Sequence, residues 1–238
     1  MKKVIVLLSF IFLLVGCGKK SDEIVMVTEA GFAPYEFYEN GEVIGVDIEI
    51  SKKIADKLGK KLVIKDVAFD SIINELNSGK ADFAAAGMSI NPERSEKVDF
   101  SIEYITSNQV VVVKKDSDIK SIDDIKDKRI SVQLGTVADT YVTKNYKDAK
   151  INRLKKFLVA AEDVKNNKSD CIVMDAIPAN ELVKSNPELK VLDGILFQDK
   201  YGMAVKKGNM ELLNSINLVL EELIKDGKID EYIIKFSE

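Results

Sequence analysis

The chain has 238 residues, of which 46% are hydrophobic and 31% are charged, with 13 Gly and only 4 Pro. This composition is typical of a globular protein and excludes a disordered or fibrous chain. The 35 Lys and Arg against 39 Asp and Glu give a net charge of −4, which argues against a nucleic-acid partner bound through its phosphates. Histidine is absent, so the commonest general base and metal ligand are missing, and we expect neither a metal nor a cofactor.

The N-terminal segment predicts export. A cationic start, Met1 to Lys3, precedes an apolar run that is shorter than the about 20 residues of a membrane-spanning helix, so residues 1–16 are interpreted as a signal peptide. The end of this run, Leu14-Val15-Gly16-Cys17, resembles the lipobox of bacterial lipoproteins. The resemblance implies lipid attachment at Cys17, with diacylglycerol and palmitate, and a tether over 17–22. An uncleaved signal anchor or a chance cysteine are the alternatives.

Strands and helices are predicted to alternate through the first half of the mature chain. An apolar run at 24–28 predicts a strand, and apolar residues at helical spacing predict a helix over 46–58. A short strand at 62–64, a helix capped by Asp70, and a strand at 83–86 follow. This alternation is typical of the α/β class with a mainly parallel sheet.

The same alternation starts again in the second half, with a strand at 129–133, a helix at 138–146 and an apolar strand that contains Cys171. A Lys-x-Asp turn before an apolar strand occurs in both halves, at 79–84 and at 167–172. We therefore predict two lobes, one formed by 23–109 and 200–238 and the other by 110–199. The two crossings, near 107–112 and near 197–201, would form a hinge. Cys171 is expected to pack in its strand. A late strand is predicted at 201–205.

Candidate ligand-binding residues follow the predicted strands, because ligands of open α/β sheets bind beyond the carboxyl ends of the strands. Arg94 is the strongest candidate, since a guanidinium presents a planar donor fork that fits a carboxylate. Asn91-Pro92 predicts a helix cap and first helical residue just before it. Considered without its neighbours, Arg94 would be interpreted as a solvated surface charge.

The sequence closely resembles the amino-acid-binding proteins of bacterial ABC importers, which include lysine/arginine/ornithine, histidine, glutamine and cystine binders. The resemblance runs from Val27 to Ile229 and is most specific at 79–82, at Ala86-Gly87-Met88-Ser89-Ile90-Asn91-Pro92-Glu93-Arg94 and at 98–101. It implies a two-lobed periplasmic-binding-protein fold of type II, in which each lobe is a mainly parallel sheet flanked by helices. It also implies a lipoprotein that closes on one free L-amino acid and delivers it to a permease.

The resemblance also implies roles for single residues. Arg94 would bind the ligand α-carboxylate and Asp175 the α-ammonium group, although Asp175 could equally cap the helix that follows it. Phe32 and Phe69 would cover the ligand side chain, although isolated aromatic residues more often pack in a core. Glu29 would favour a cationic side chain or cystine. The expected ligand-binding residues are Glu29, Phe32, Phe69, Gly87, Met88, Ser89, Arg94, Gln133, Thr136, Val137 and Asp175.

Two other functions stay open from the sequence. Some relatives with this fold are dehydratases of small carboxylates, in which Glu29 or Asp175 could act as an acid, but the absence of histidine and of a metal-ligand cluster favours a binding protein without catalytic residues. A ligand-sensing component would need a separate output partner. We expect a monomer outside the cytoplasm, anchored to the bacterial membrane by its lipid and partnered by the transmembrane subunits of an ABC permease.

Overall fold

The computed structural model describes residues 22–237, so the predicted signal peptide and Cys17 lie outside the described residues. The strands within that range are β1 (Glu23–Thr28), β2 (Phe37–Glu39), β3 (Glu42–Ile44), β4 (Lys61–Asp66), β5 (Phe83–Ala84), β6 (Val98–Phe100), β7 (Ile105–Lys114), β8 (Arg129–Gln133), β9 (Lys150–Leu154), β10 (Cys171–Asp175), β11 (Leu189–Val191), β12 (Phe197–Tyr201) and β13 (Ala204–Lys206). The helices are α1 (Val46–Lys57), α2 (Ile72–Asn77), α3 (Pro92–Ser95), α4 (Val137–Asn145), α5 (Phe157–Lys165), α6 (Ala176–Lys184), α7 (Met210–Lys225) and α8 (Lys228–Ser237).

Two mixed sheets organise the molecule. The first has the order β4-β1-β5-β13-β6, with β1 parallel to both β4 and β5 and β13 antiparallel to its neighbours. The second has the order β11-β7-β10-β8-β9, with β8 parallel to β9 and β10, while β7 is antiparallel to β10, β11 and β12. The predicted α/β class with two sheet-containing lobes is confirmed. The prediction that each sheet is mainly parallel is wrong, because β13 and β7 run antiparallel to their neighbours.

The strand pair β7 and β12 carries the chain out of the first sheet and back into it. β7 follows β6 of the first sheet, and β13 of the first sheet follows β12. The two strands pair over five positions, from Ile105 opposite Tyr201 to Gln109 opposite Phe197. The predicted lobe boundaries, after 109 and before 200, fall inside this pair.

The helices cover both sheets with the apolar faces that their spacing predicts. In α1, Val46, Ile50 and Ile54 are fully buried, and the helix packs against α7 and α8. Cys171 is a free, fully buried thiol of β10, and burial raises its pKa. No helix within 22–237 has the length and hydropathy needed to cross a membrane.

Two local predictions were wrong. Asp70 does not cap α2, because a 3₁₀ turn over Phe69–Ser71 precedes the helix and Ser71 occupies the N-cap position without a side-chain cap bond. The predicted strand over 201–205 is divided at Gly202 and Met203, because the chain changes sheets there: β12 belongs to the second sheet and β13 to the first.

Candidate ligand-binding site

A cavity lies between the two lobes. It is bordered by the carboxyl ends of parallel strands from both sheets, where open α/β sheets bind ligands. Of the predicted ligand-binding residues, all except Met88 border it. The lining residues are Glu29, Phe32, Glu36, Phe69, Ala86, Gly87, Ser89, Arg94, Gln133, Thr136, Val137, Phe157 and Asp175.

Met88 is placed elsewhere. Its side chain is 1% exposed and packs in the apolar cluster that contains Val27 and Leu76. Its two neighbours, Gly87 and Ser89, border the cavity. Met88 thus holds the loop against the core of the first lobe, while the residues on either side of it face the cavity.

Arg94 enters the cavity from the short helix α3. The predicted cap is confirmed: the Asn91 side-chain oxygen accepts a bond from the Arg94 backbone N–H at 2.8 Å, and Pro92 occupies the first helical position. The guanidinium donates from Nη1 to the Ser89 carbonyl at 2.6 Å and from Nη2 to the Gly135 carbonyl at 2.9 Å. Its central carbon lies 5.2 Å from the centre of the Phe69 ring. One residue therefore contacts loops from both lobes.

The charge of Arg94 is buried without an anionic partner. The residue is 7% exposed, so its interpretation as a solvated surface charge is wrong. Among residues 22–237 it forms no ion pair, and its two bonded acceptors are backbone carbonyls. Burial lowers the pKa of Arg94 to about 10, while the nearby charges of Asp199 and Asp175 oppose that shift. The guanidinium stays protonated at neutral pH, and a carboxylate in the cavity would compensate its charge.

Asp175 brings a carboxyl group from the end of β10 to the same cavity. Its Oδ1 accepts bonds from the Ser107 hydroxyl at 2.7 Å and from the Tyr201 hydroxyl at 2.5 Å. The side chain makes no cap bond to α6, so a capping role of this carboxyl is not observed. Burial raises the pKa of Asp175, and the two hydroxyl donors lower it. A cation in the cavity would favour the ionised carboxylate further.

Glu29 is a third buried charge of the cavity, and its partners come from the second lobe. Its side chain is only 2% exposed. The Gln133 amide donates to Oε2 at 2.9 Å, and the Lys156 ammonium lies 3.3 Å from Oε1. Burial raises the pKa of Glu29, while the Gln133 bond and the Lys156 charge lower it. The rings of Phe32 and Phe157 stack beside this group, with centroids 5.7 Å apart.

These contacts describe a closed arrangement of the lobes. Glu29 and Arg94 belong to the first lobe, whereas Gln133, Gly135 and Lys156 belong to the second. The approach is close at Gly135, which has a φ of +82° and where an added Cβ would lie 3.2 Å from Asp70 Cβ. A larger residue there would combine backbone strain with a tight contact across the cleft.

A buried carboxyl pair lies behind Gly87. Gly87 has a φ of +50°, and an added Cβ would lie 2.7 Å from the Phe32 ring, so a glycine is required. Its N–H donates to Asp47 Oδ2 at 2.9 Å. Burial raises the pKa of Asp47 to about 6. Burial, followed by the Asp47 charge, raises the pKa of Glu36 well above its ordinary value and so favours its protonated form.

Thr136 and Val137 form the start of α4 at the cavity. The Thr136 hydroxyl donates to the Gln133 carbonyl at 2.8 Å and accepts the Asp139 N–H at 3.3 Å, so this hydroxyl is already engaged within the chain. The first backbone N–H groups of a helix have no intrahelical acceptor and suit an anionic ligand group. The backbone here is therefore better placed than the hydroxyl to contact a ligand.

Sequence reasoning missed three lining residues, Glu36, Ala86 and Phe157. Phe157 begins α5 directly after β9, so the same strand-end rule would have found it had β9 been predicted. Ala86 lies in the predicted strand segment next to Gly87. For Glu36 the sequence offers no comparable signal, because an acidic side chain in a polar segment is normally exposed.

Comparison with known proteins places these features in a family. The family model of bacterial extracellular solute-binding proteins, family 3, matches residues 24–238. The chain belongs to this family. The Arginine-binding extracellular protein ArtP of Bacillus subtilis is 30% identical over 92% of this chain and 91% of its own length. The L-cystine-binding protein TcyJ of Escherichia coli is 28% identical over 89% of this chain and 81% of its own.

A solved structure agrees with the fold. An ancestral arginine-binding protein bound to arginine superimposes with a TM-score of 0.85 at 42% identity, covering 90% of this chain and 98% of that one. The family resemblance drawn from the motifs is thereby confirmed. The protein is a solute-binding protein of an extracytoplasmic family, and it is not an enzyme.

Proposed function

We propose that the protein binds one free L-amino acid with a cationic side chain, arginine first, and delivers it to an ABC permease. The observation that carries this proposal is that the unpaired Arg94 guanidinium and the buried carboxyls of Asp175 and Glu29 border one cavity. Arg94 would bind the α-carboxylate, Asp175 the α-ammonium and Glu29 the side-chain cation. Arginine-binding relatives support the choice of ligand.

The energetic basis is charge compensation inside a closed cavity. A ligand that lacks its carboxylate leaves Arg94 buried and unpaired, and one that lacks its α-amino group leaves Asp175 without a cation; both are costly. The aromatic rings of Phe32, Phe69 and Phe157 would cover the aliphatic stem of the ligand. Lobe closure brings the groups of both sheets together, so tight binding is coupled to closure.

Cystine is the second candidate, and Lys156 is the observation that favours it. The Lys156 ammonium lies 3.3 Å from Oε1 of Glu29, so an ammonium group stands next to a carboxylate that borders the cavity. Cystine carries a second amino acid group at its far end, which Glu29 and Lys156 could bind together. Arginine carries only a cation there and would compete with Lys156 for Glu29.

A thermal-shift screen of the amino acids, ornithine and cystine tests the proposal. A ligand at 100 times its Kd stabilises the native protein by roughly 2.7 kcal/mol. We expect the largest rise in melting temperature with arginine; a larger rise with cystine selects the second candidate. If no amino acid shifts the melting temperature at millimolar concentration, the proposed function is overturned.

Anchoring and delivery form a second part of the proposal. Signal cleavage before Cys17, lipidation there and a monomer docking on its permease follow from the lipobox resemblance and the family. In a bacterial host, mass spectrometry of the mature N-terminus should show acylated Cys17, and Cys17→Ser should release the protein from the membrane fraction. Membrane retention of an unprocessed Cys17→Ser chain would favour an uncleaved anchor. Light scattering tests the monomer.

A further inference from the structure

Asp199 is an acidic residue that no sequence pattern singled out, and it lies beside the cavity on β12. In the strand register it is opposite Ser107, whose hydroxyl donates to Asp175. The Ser89 hydroxyl donates to Asp199 Oδ2. Within the described residues, Asp199 Oδ1 is buried and has no hydrogen-bond partner. A carboxylate that sequence reasoning did not consider therefore contacts a residue of the cavity wall.

The backbone holds Ser89 firmly against β12. Ile90 N–H donates to the Lys200 carbonyl at 2.8 Å, and Gly202 N–H donates to the Met88 carbonyl at 3.1 Å. These bonds bracket Ser89, which itself forms an isolated bridge with Tyr201. Because these bonds fix the backbone of Ser89, the direction of its hydroxyl group depends on which acceptor receives its hydrogen bond.

The chemistry of that bond decides what Ser89 can offer a ligand. A serine hydroxyl has one proton to donate and two lone pairs to accept with. When the proton goes to Asp199, the lone pairs are left for a donor in the cavity, and an ammonium group has only donors. Burial, and then repulsion by Asp175, raise the pKa of Asp199 to about 6, while Arg94 and the Ser89 bond oppose the shift. The Ser89 hydrogen bond and the Arg94 charge thus favour the ionised carboxylate of Asp199.

We propose that Asp199 is a positioning residue for the α-ammonium group of the ligand. Asp199 accepts the hydrogen bond of the Ser89 hydroxyl, so that Ser89 Oγ can accept a hydrogen bond from the ammonium, and it adds a second negative charge beside Asp175. The inference rests on the proposed function, because it requires an α-amino acid in the cavity. It adds a residue that does not itself border the cavity to the recognition of the amino group.

A double-mutant cycle tests the proposal by calorimetric titration of L-arginine into the wild type, Asp199→Asn, Ser89→Ala and the double variant. We expect Asp199→Asn to weaken binding about tenfold. In the Ser89→Ala background the same change should cost clearly less, since part of its effect acts through Ser89. The exposed Asp193→Asn removes the same charge from the second lobe and should leave the affinity unchanged. Should Asp199→Asn melt below the assay temperature, Asp199→Ser replaces it.

A second ligand separates positioning from general damage. Asp199→Asn should lower the affinity for arginine far more than the affinity for 5-guanidinopentanoate, which lacks the α-amino group. The reason is that Asp199 stabilises only the bound ammonium group. Unchanged arginine affinity in Asp199→Asn, or equal losses for both ligands, would overturn this inference and leave the proposed function intact. If the wild type binds no amino acid, both are overturned.

Discussion

Two parts of the cavity differ in the partners that compensate their charged side chains. At Arg94 and Asp175, each charged group is bonded to carbonyls or hydroxyls of the chain and forms no ion pair among residues 22–237. At Glu29, the chain supplies a cation of its own, Lys156, together with the Gln133 amide. The first part leaves its charges to be compensated by the ligand, and the second is already partly compensated. We expect the first to supply most of the affinity and the second to adjust which side chain is accepted.

The largest effect is expected at Arg94. Arg94→Ala should reduce arginine affinity by about 3 kcal/mol, or roughly 150-fold, because the ligand carboxylate loses a charge-assisted partner. Arg94→Lys keeps the charge but loses the planar fork, so its affinity should fall in between. Calorimetry measures both. Nearly unchanged affinity in Arg94→Ala would show that the ligand carboxylate is bound elsewhere.

Glu29→Gln addresses the other part of the cavity. We expect arginine affinity to fall by about 2 kcal/mol, roughly 30-fold, while the affinity for glutamine changes little, because a neutral side chain does not need the carboxylate. Competition titrations with both ligands measure the ratio. Equal losses for arginine and glutamine would indicate a structural role for Glu29 and remove the distinction between the two parts.

The buried carboxyl of Glu36 differs from both parts, because its raised pKa favours the neutral, protonated form. The native state keeps Glu36 protonated above the pKa of the unfolded chain, so it binds more protons than the unfolded state. The contribution of this group to the free energy of unfolding therefore falls as pH rises. Glu36→Gln removes it, and between pH 5 and 7 the variant should gain about 1.4 kcal/mol relative to the wild type for each pH unit over which native Glu36 stays protonated.

Urea denaturation of both proteins at several pH values measures that difference. The comparison between wild type and variant cancels the other titrating groups. A constant difference across the pH range would mean that Glu36 is ionised in the native protein, and the account of the carboxyl pair with Asp47 would then be wrong.

Lys156→Met should have the smallest effect on arginine affinity, and it should raise this affinity instead of lowering it. Removing the ammonium frees Glu29 for the ligand, so arginine affinity should rise about threefold, whereas cystine affinity should fall if Lys156 binds its far carboxylate. The neighbouring Lys155→Met makes the same change of charge on an exposed side chain and serves as control. A loss of arginine affinity in Lys156→Met would show that the ion pair supports the site instead of competing with the ligand.

Much of this site could be predicted from the sequence, because the patterns that indicate it are local. The Asn91-Pro92 cap fixes the start of α3 and so the position of Arg94, and strand ends placed Glu29 and Asp175 at one edge of each sheet. The family motifs supplied the roles. Such signals depend on a few consecutive residues, which makes them readable without a structure.

Other features depend on distant residues and were not predictable. Three of the five residues of β9 are charged or polar, and the strand is only partly buried, so no apolar run predicts it. Without β9, the position of Phe157 after a strand end could not be predicted either. The ion pair of Glu29 with Lys156 exists only once the lobes close. The role of Asp199 follows from β12, which the sequence did not separate from β13, and from its contact with Ser89, 110 residues away.

The proposed binding mode requires both charges of the ligand's amino acid group, and calorimetry of the wild type with three ligands can show whether both are needed. L-arginine should bind, while agmatine, which lacks the carboxylate, and 5-guanidinopentanoate, which lacks the amino group, should each bind about 100-fold more weakly or worse. Binding of agmatine within a few-fold of arginine would contradict the assignment of Arg94, and equal binding of 5-guanidinopentanoate would contradict that of Asp175.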